Sequence, residues 1–174
     1  MSNVQVCQFE ENLVEELKKF RFSRSTACRA IVMKIDTSKM MLVIDEHYED
    51  TTTEELRLVF RHHFLFLLLI LIILGYCYPF LYHVISFDAF IFRDELPGHQ
   101  PRFVIYSFKL DHGDGRISYP LCLLFSTPRD CKTELMVMYA GTKLSLVKAA
   151  ELTKVYEIRD LDDLTDEWLQ EKLK

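Results

Sequence analysis

The sequence lacks several features that would place it in a common functional class. Its formal net charge is −5, so it has no basic surplus of the kind that proteins binding nucleic acid in general carry. Its five cysteines are widely spaced and form no C-x-x-C pair, which argues against a disulfide framework or a zinc site and indicates reduced thiols. The opening "MSNVQVCQFEENLVEE" has no basic start and no apolar run, so we expect no signal peptide.

Catalytic signatures are also missing. The chain contains no G-x-x-x-x-G-K phosphate loop, no H-E-x-x-H and no G-x-S-x-G elbow. The adjacent His62 and His63 would point to different faces of a helix or strand, and "DLDDLTDEW" lacks the glycine and the closing glutamate of a calcium loop. We therefore predict a non-enzymatic protein that needs no metal and no cofactor.

Apolar residues, in contrast, form one long run. From Phe64 to Phe87 the segment "FLFLLLILIILGYCYPFLYHVISF" carries no formally charged side chain. About 20 apolar residues suffice to cross a bilayer, so the length alone permits a membrane helix. A true span would separate the flanking strands onto opposite sides of the membrane, and the sheet could not close. Attachment of the run to a membrane surface, and a buried additional element, are the two alternatives to an insertion.

The flanks of this run favour an insertion. "TTTEELR" starts a helix, because Thr52 and Glu55 have the spacing of a capping box, and "RDELPG" ends one at Pro97 and Gly98. Joined together, the two flanks make one helix of ordinary length. Residues 58–93 are therefore predicted to be an apolar, helical insert that protrudes from the domain or lies loosely on it. Without them the 174-residue chain keeps 138 residues, a normal size for a single domain.

The rest of the chain predicts alternating helices and strands. A helix is expected at "ENLVEELKKFRF", a hairpin at "AIVMKID" and "MLVIDEHYE", a long helix at "CKTELMVMYAGTKLSLVKAAE", a strand at "VYEIRD" and a helix at "LTDEWLQEKL" capped by Thr165. "RFVIYSFKL" and "ISYPLCLLFST" are predicted strands, joined by "DHGDGR", whose glycines supply positive φ angles. The second of these strands is apolar almost throughout, so it should lie centrally in a sheet.

Several stretches together resemble one family. "LVEELKKFRF", "AIVMKID", "DELPGHQPRFVIYSFK", "HGDGRISYPLCLLFSTP", "MYAGTK" and "AELTKVYEIRDLDDLTDEWLQEKL" resemble glia maturation factor, within the actin-depolymerising factor homology fold. The resemblance covers nearly all of the chain except residues 58–93, and nothing like that segment occurs in the family pattern. Its position suggests a mis-spliced or intron-derived insertion.

The resemblance implies a fold and a function. The fold is α+β, with a mixed central sheet flanked by helices on both faces, here a single domain over residues 1–174 interrupted at 58–93. The family has no catalytic site, binds the actin-related protein 2/3 complex, inhibits branch nucleation and promotes debranching of actin networks. We accordingly expect a monomer in the cytoplasm, at the actin cytoskeleton.

The long helix carries two stripes of residues. One is predicted to face the sheet and comprises Leu135, Met138, Tyr139, Thr142, Leu146, Ala149 and Ala150. The other mixes basic and apolar side chains, as a helix docking into a partner's groove does, and comprises Lys132, Met136, Ala140, Lys143 and Val147. Composition alone favours an ordinary solvated face, but the resemblance makes this helix the main contact with an actin-like partner. A close approach of that partner to the backbone would explain Gly141.

Further candidate contacts follow from the resemblance or from charge. Lys18, Lys19, Arg21 and Arg24 in "KKFRFSR" could steer the protein to an acidic surface, or could simply be the basic end of a helix. The hairpin "DHGDGR", with Asp114 and Arg116, corresponds to a second contact on the complex in the family. Ser2 matches the N-terminal serine whose phosphorylation regulates this fold family.

Two alternative functions stay open. The first is a membrane-attached variant of the same domain, with membrane contact only through the run from Phe64 to Phe87. The second is a cofilin-like protein that binds and severs actin. Conventional actin-depolymerising factors carry a basic pair where this chain has Glu134 and Met136. The loss of that pair disfavours the second alternative and predicts weak or no binding to actin itself.

Overall fold

A computed structural model of the chain describes residues 6–57 and 100–174. In this part the helices are α1 (Leu13–Phe22), α2 (Thr133–Ala149) and α3 (Asp166–Leu173), with further helical residues at 53–57 and a 3₁₀ turn at Leu161–Asp163. The strands are β1 (Gln8–Phe9), β2 (Arg29–Asp36), β3 (Met41–Glu49), β4 (Arg102–Ser107), β5 (Leu110–Asp111), β6 (Ile117–Ser118), β7 (Leu121–Ser126) and β8 (Val155–Ile158). The predicted elements within these ranges are confirmed, except that the two strands predicted on either side of "DHGDGR" are each broken: β4 is separate from β5, and β6 is separate from β7, with Pro120, which has no backbone N–H to donate, at the second break.

The strands form a mixed sheet, as predicted. Six of them lie in the order β1-β3-β2-β4-β7-β8, and β5 with β6 makes a separate two-stranded ribbon. The pairs β3–β2, β2–β4 and β4–β7 are antiparallel, whereas β1–β3 and β7–β8 are parallel. The predicted central strand, β7, is therefore interior, with β4 on one side and β8 on the other.

Each face of the sheet is covered by a hydrophobic core. Leu123 and Phe125 of β7 pack on one face with the apolar sides of α1 and α2. Cys122 and Leu124 point to the other face, where α3 contributes Leu169 and Leu173. Because β7 is buried on both faces, its sequence is almost continuously apolar. Helices on both faces of the sheet confirm the predicted fold class.

Local signals in the sequence account for several boundaries. Thr52 donates its backbone N–H to Glu55 Oε2 at 2.9 Å, and Glu55 donates its own to Thr52 Oγ1 at 3.2 Å, so the predicted capping box is formed. The Thr165 hydroxyl accepts the Trp168 N–H at 3.2 Å at the start of α3. In the hairpin, Gly113 and Gly115 have φ values of 75° and 84°, which side chains disfavour. The two-residue strand β1 was not predicted, because it is too short to show a periodicity.

Some predictions fall outside the described residues. These are the placement of the insert at 58–93, the apolar run at 64–87, the helix end at "RDELPG" and Ser2. Within residues 6–57 and 100–174, none of the helices combines the length and the apolar character that a membrane crossing needs.

Candidate partner-binding surface

Helix α2 is fixed to the sheet by its inner face. Tyr139, Thr142 and Leu146 are buried, and the Tyr139 hydroxyl accepts the backbone N–H of Ile35 at 2.8 Å. Burial raises the pKa of Tyr139 above its ordinary value, so the hydroxyl stays protonated at neutral pH. The Tyr139 ring also packs against Phe103, with ring centroids 5.1 Å apart. The predicted inner stripe is thus confirmed, with Leu135, Met138 and Ala149 half-buried at its edges.

The outer face of α2 exposes large apolar side chains. Val137 is 64% exposed, Leu144 53% and Met136 37%, and Ala140 lies exposed between them. In an α-helix residues 137, 140 and 144 fall on one face, since they are spaced by three and four positions. We call Met136, Val137, Ala140 and Leu144 the outer face. It is a strip of apolar surface on a helix that is held rigidly from behind.

The outer face only partly matches the stripe predicted from sequence. Lys132, Met136 and Ala140 are exposed as expected. Lys143 is half-buried, because its Nζ lies 3.9 Å from Glu157 Oε2 and 5.3 Å from the centroid of the Phe125 ring. Val147 is half-buried as well and packs against the core. Lys143 and Val147 therefore contact the core beneath α2. The exposed apolar surface of the helix lies instead around Val137 and Leu144.

Sequence reasoning missed Val137 and Leu144 because α2 is apolar on more than one side. Apolar residues occupy both the inner stripe and the outer face of α2. Helical periodicity in the sequence therefore does not show which side is buried on the sheet and which side is exposed. The available signal was "ELMVMY", whose consecutive apolar residues cannot all point inward from a helix.

Gly141 is explained by the chain itself, which corrects the sequence interpretation. A Cβ at this position would lie 2.5 Å from Cγ2 and 3.4 Å from Cβ of Val6. The close approach to the helix backbone is thus made by the segment before β1, and no partner is required for it. The same contact places Val6 beside α2.

An open groove continues the surface at the N-terminal end of α2. It has a volume of about 510 Å³ and is lined by Ile35, Thr37, Gln100, Lys132, Glu134, Leu135 and Tyr139. Lys132 and Glu134 bring opposite charges to its rim. The groove would accept polar groups of a partner next to the apolar outer face.

The predicted basic cluster lies at the other end of α2. Lys19 forms an ion pair with Glu16 at 2.8 Å, and Arg21 pairs with Glu151, which follows α2. Arg24 is exposed. Since α2 has 17 residues, it is about 25 Å long, so Lys132 and Arg21 lie roughly a helix length apart. The structure therefore does not bring the basic cluster and the groove together.

The hairpin forms a third exposed region. Arg116 Nε lies 2.6 Å from Asp114 Oδ2, and the Arg116 backbone N–H donates to Asp114 Oδ1 at 3.0 Å. These bonds from Arg116 lower the pKa of Asp114. The pair stiffens the turn around Gly113 and Gly115, and it leaves the exposed Ile117 beside two fixed charges.

The described residues offer little for catalysis. Burial raises the pKa of the Cys122 thiol to about 12, so almost no thiolate exists at neutral pH. Residues 6–57 and 100–174 contain no group of three or more histidine, cysteine, aspartate or glutamate side chains arranged to hold a metal ion. The distinctive feature of this part is the exposed apolar outer face of α2.

Comparisons with known proteins place the fold in one class. The sequence model of cofilin/tropomyosin-type actin-binding proteins matches residues 87–174, which include α2 and α3. The solution structure of glia maturation factor from Caenorhabditis elegans superposes with a TM-score of 0.66 at 31% identity, covering 99% of each chain. The class is thus that of the actin-depolymerising factor homology fold.

Relatives that align over nearly the whole chain identify the family within this class. The chain is 45% identical to human glia maturation factor beta over 168 residues, covering 97% of this chain and 93% of the relative. It is 42% identical to glia maturation factor of Drosophila melanogaster over 174 residues, covering 100% of both. The chain belongs to the glia maturation factor family, a branch of the actin-regulating cofilin-type proteins.

Proposed function

We propose that this actin-regulating protein acts on branched networks: it binds the actin-related protein 2/3 complex, inhibits branch nucleation and promotes debranching, without catalysing a reaction. Binding occurs through the outer face of α2 and the adjacent groove. The protein would act in the cytoplasm, at the actin cytoskeleton, as expected for a regulator of branches.

The observation that carries this proposal is the exposure of Val137 and Leu144 on a helix fixed to the sheet. Docking a rigid helix face loses little conformational entropy, because Tyr139 and Leu146 already hold the backbone. Full burial of one aliphatic side chain contributes about 1.5–3 kcal/mol, so two exposed residues can dominate such a contact.

The charges around α2 favour the complex over bare actin. Glu134 is exposed in the first turn of α2 and Met136 stands one position beyond Leu135, where conventional actin-depolymerising factors carry a basic pair. An acidic and an apolar residue cannot replace two cations facing an acidic partner. This supports weak or no binding to actin filaments alone.

Two further regions belong to the proposal. The hairpin with Asp114 and Arg116 would make a second contact, since its turn is exposed and carries an ion pair between these two residues. Ser2 would be the regulatory phosphorylation site. A phosphate there would add a charge of about −2 to the chain.

The test replaces Val137 by Asp, because a buried unpaired carboxylate opposes docking. Binding to the purified actin-related protein 2/3 complex should weaken by at least about tenfold, measured by pull-down over a concentration series. Val137→Thr, which keeps the shape, should retain most of the affinity. Gln170→Asp on α3 adds the same charge away from α2 and serves as the control.

Two results would contradict the proposal. One is equal binding by wild type, Val137→Asp and Gln170→Asp, which would remove the outer face from the site. The other is strong co-sedimentation with bare actin filaments without binding to the complex, which would favour a cofilin-like severing protein.

A further inference from the structure

The end of α1 and the loop after it are strongly basic. Residues 18–29 contain five cationic side chains and no aspartate or glutamate, in a chain whose formal net charge is −5. Lys18 and Arg24 are exposed and form no ion pair with the acidic residues in the described part of the chain. This segment is therefore a local region of positive potential on an acidic protein.

A protruding aromatic ring stands in the middle of this segment. Phe22 is 74% exposed, the largest exposure among the large apolar side chains of the described residues. The guanidinium of Arg21 lies 5.7 Å from the centroid of its ring. An exposed aromatic side chain next to a cation is a suitable anchor for a partner that is both acidic and apolar.

The backbone around Phe22 is fixed by a buried arginine. Arg29 is only 8% exposed, donates to Ser23 Oγ at 2.5 Å and to the carbonyl of Phe20 at 3.4 Å, and lies over the Phe20 ring at 4.7 Å. The terminal nitrogens of Arg29 bond to the Ser23 hydroxyl and to carbonyls at the end of α1, where the helix dipole favours positive charge, whereas its buried Nε has no hydrogen-bond partner among the described residues. Phe22 is consequently presented outward on a constrained turn.

A cleft lies on the other side of Arg21. Its volume is about 270 Å³, and it is lined by Arg21, Pro120, Leu121, Glu151, Leu152, Thr153 and Lys154. Leu152 is buried and Leu121 half-buried, so the floor is apolar. Arg21 thus connects the exposed ring to an apolar cleft, and Glu151 fixes its guanidinium between them. The cleft is large enough for one aliphatic side chain.

We infer that this region, which we call the Phe22 surface (Lys18, Arg21, Phe22, Arg24 and the cleft), is a second docking site that binds an acidic peptide segment of a partner protein carrying one aliphatic anchor residue. The anchor enters the cleft beside Leu152, and flanking carboxylates face Lys18 and Arg24. The site is distinct from the outer face of α2, because Arg21 pairs with Glu151 beyond the C-terminal end of α2, whereas Val137 lies near its N-terminal end.

The experiment uses the full chain and a defined probe. A fluorescein-labelled 12-residue peptide of glutamate and serine with one central leucine is titrated and followed by anisotropy at 50 mM and 150 mM salt. Binding is expected to weaken as salt rises and to weaken when the leucine is replaced by alanine. Phe22→Ser, and Lys18→Glu combined with Arg24→Glu, should each lower the affinity about fivefold or more.

Matched controls separate this site from general charge effects. Lys39→Glu combined with Arg159→Glu makes the same change of net charge at two exposed positions away from α1, and it should leave the affinity unchanged. Val137→Asp should also leave peptide binding unchanged, which distinguishes a failure here from a failure of the proposed function. Amide shifts in a heteronuclear NMR spectrum should cluster at Phe22, Arg24 and Leu152.

Three results would overturn the inference. They are absence of peptide binding by wild type, an equal loss of affinity in the charge-matched control, and binding to vesicles of phosphatidylcholine and phosphatidylserine with no binding of the peptide. In the last case the basic segment recognises anionic lipid rather than a protein segment.

Discussion

At the scale of single residues, the structure separates side chains that hold the fold from those that are available to partners. Lys143 illustrates the difference, since its charge is engaged by Glu157 and the Phe125 ring beneath α2. Val137, six positions earlier, contacts no core and is mostly exposed. The helical stripe predicted from sequence did not distinguish a side chain that packs on the sheet from one that is exposed to partners. Lys143 packs on the sheet because its cation contacts Glu157 and the Phe125 ring.

Gly141 gives a sharp prediction at this scale. Alanine normally stabilises a helix by about 1 kcal/mol relative to glycine. In the wild-type chain this gain should be offset, because the new Cβ would lie 2.5 Å from Val6 Cγ2. In a Val6→Ala background the methyl group is gone, and Gly141→Ala should then raise the free energy of unfolding by about 1 kcal/mol. Urea denaturation of the four proteins of this cycle measures the coupling.

Hydrogen exchange provides a second measurement of the same contact. Gly141→Ala alone should increase exchange at Gln8 and Phe9, because Val6 must move away and loosen β1. If Gly141→Ala has the same effect on stability in the wild-type and Val6→Ala backgrounds, the two residues are not coupled. The glycine would then be explained by a partner that approaches the helix backbone.

At the scale of elements, caps and turns determine where helices begin and end. The Thr165 hydroxyl satisfies the Trp168 N–H at the start of α3, and α3 in turn buries Leu169 and Leu173 on the sheet. Thr165→Ala should therefore lower the free energy of unfolding by about 1 kcal/mol, measured by urea denaturation. Thr165→Ser keeps the hydroxyl and is the matched control. A loss as large for serine as for alanine would mean that the methyl group, rather than the cap, is responsible.

The elements themselves could largely be predicted from sequence. The hairpin of β2 and β3, the interior β7 and the cap at Thr165 each follow from a local pattern that packing reinforces. Side-chain direction on α2 could not be predicted, because the helix is apolar on two sides and only the sheet decides which side is buried. The β-bulge in β3 opposite Val32 and Met33 could not be predicted from the sequence either. It places Asp45 near Lys34 and Arg102, with Asp45 oxygens 2.6 Å and 3.6 Å from their respective nitrogens.

At the scale of the whole molecule, the proposed partner surfaces lie on the outer face of α2 and around Phe22, near the C-terminal end of that helix. The family resemblance indicated α2 and the hairpin, and the comparisons confirm the family. The Phe22 surface depends on Arg21 linking α1 to Glu151, a contact between residues far apart in sequence. Such a contact requires the folded chain, and "KKFRFSR" alone gave only a basic cluster with an undecided role.

The flanks of residues 58–93 lead to a prediction about the domain as a whole. On the N-terminal side, the helical residues 53–57 are held by Thr53 Oγ1, which donates to Asp166 Oδ1 at 2.6 Å, and by Arg57, whose Nη2 lies 2.8 Å from Asp162 Oδ1. On the C-terminal side, β4 begins at the buried Arg102 and pairs with β2 and β7. Both flanks are thus fixed by contacts with parts of the chain outside the segment.

Deleting residues 58–93 should therefore leave a folded domain with higher soluble yield. "TTTEELR" then runs directly into "DELPG", which restores one helix with its own start and stop signals. Removal of a 24-residue uncharged run should reduce aggregation and membrane adsorption, because large exposed apolar patches promote both. Full-length and deleted proteins are compared for soluble yield, thermal midpoint and binding to the actin-related protein 2/3 complex.

A glycine–serine segment of equal length in place of 58–93 is the matched control, since it changes the apolar character and keeps the loop. If the deleted protein unfolds while the glycine–serine version folds, length at this position is required. If both unfold, the apolar residues are part of the core and the insertion hypothesis is wrong.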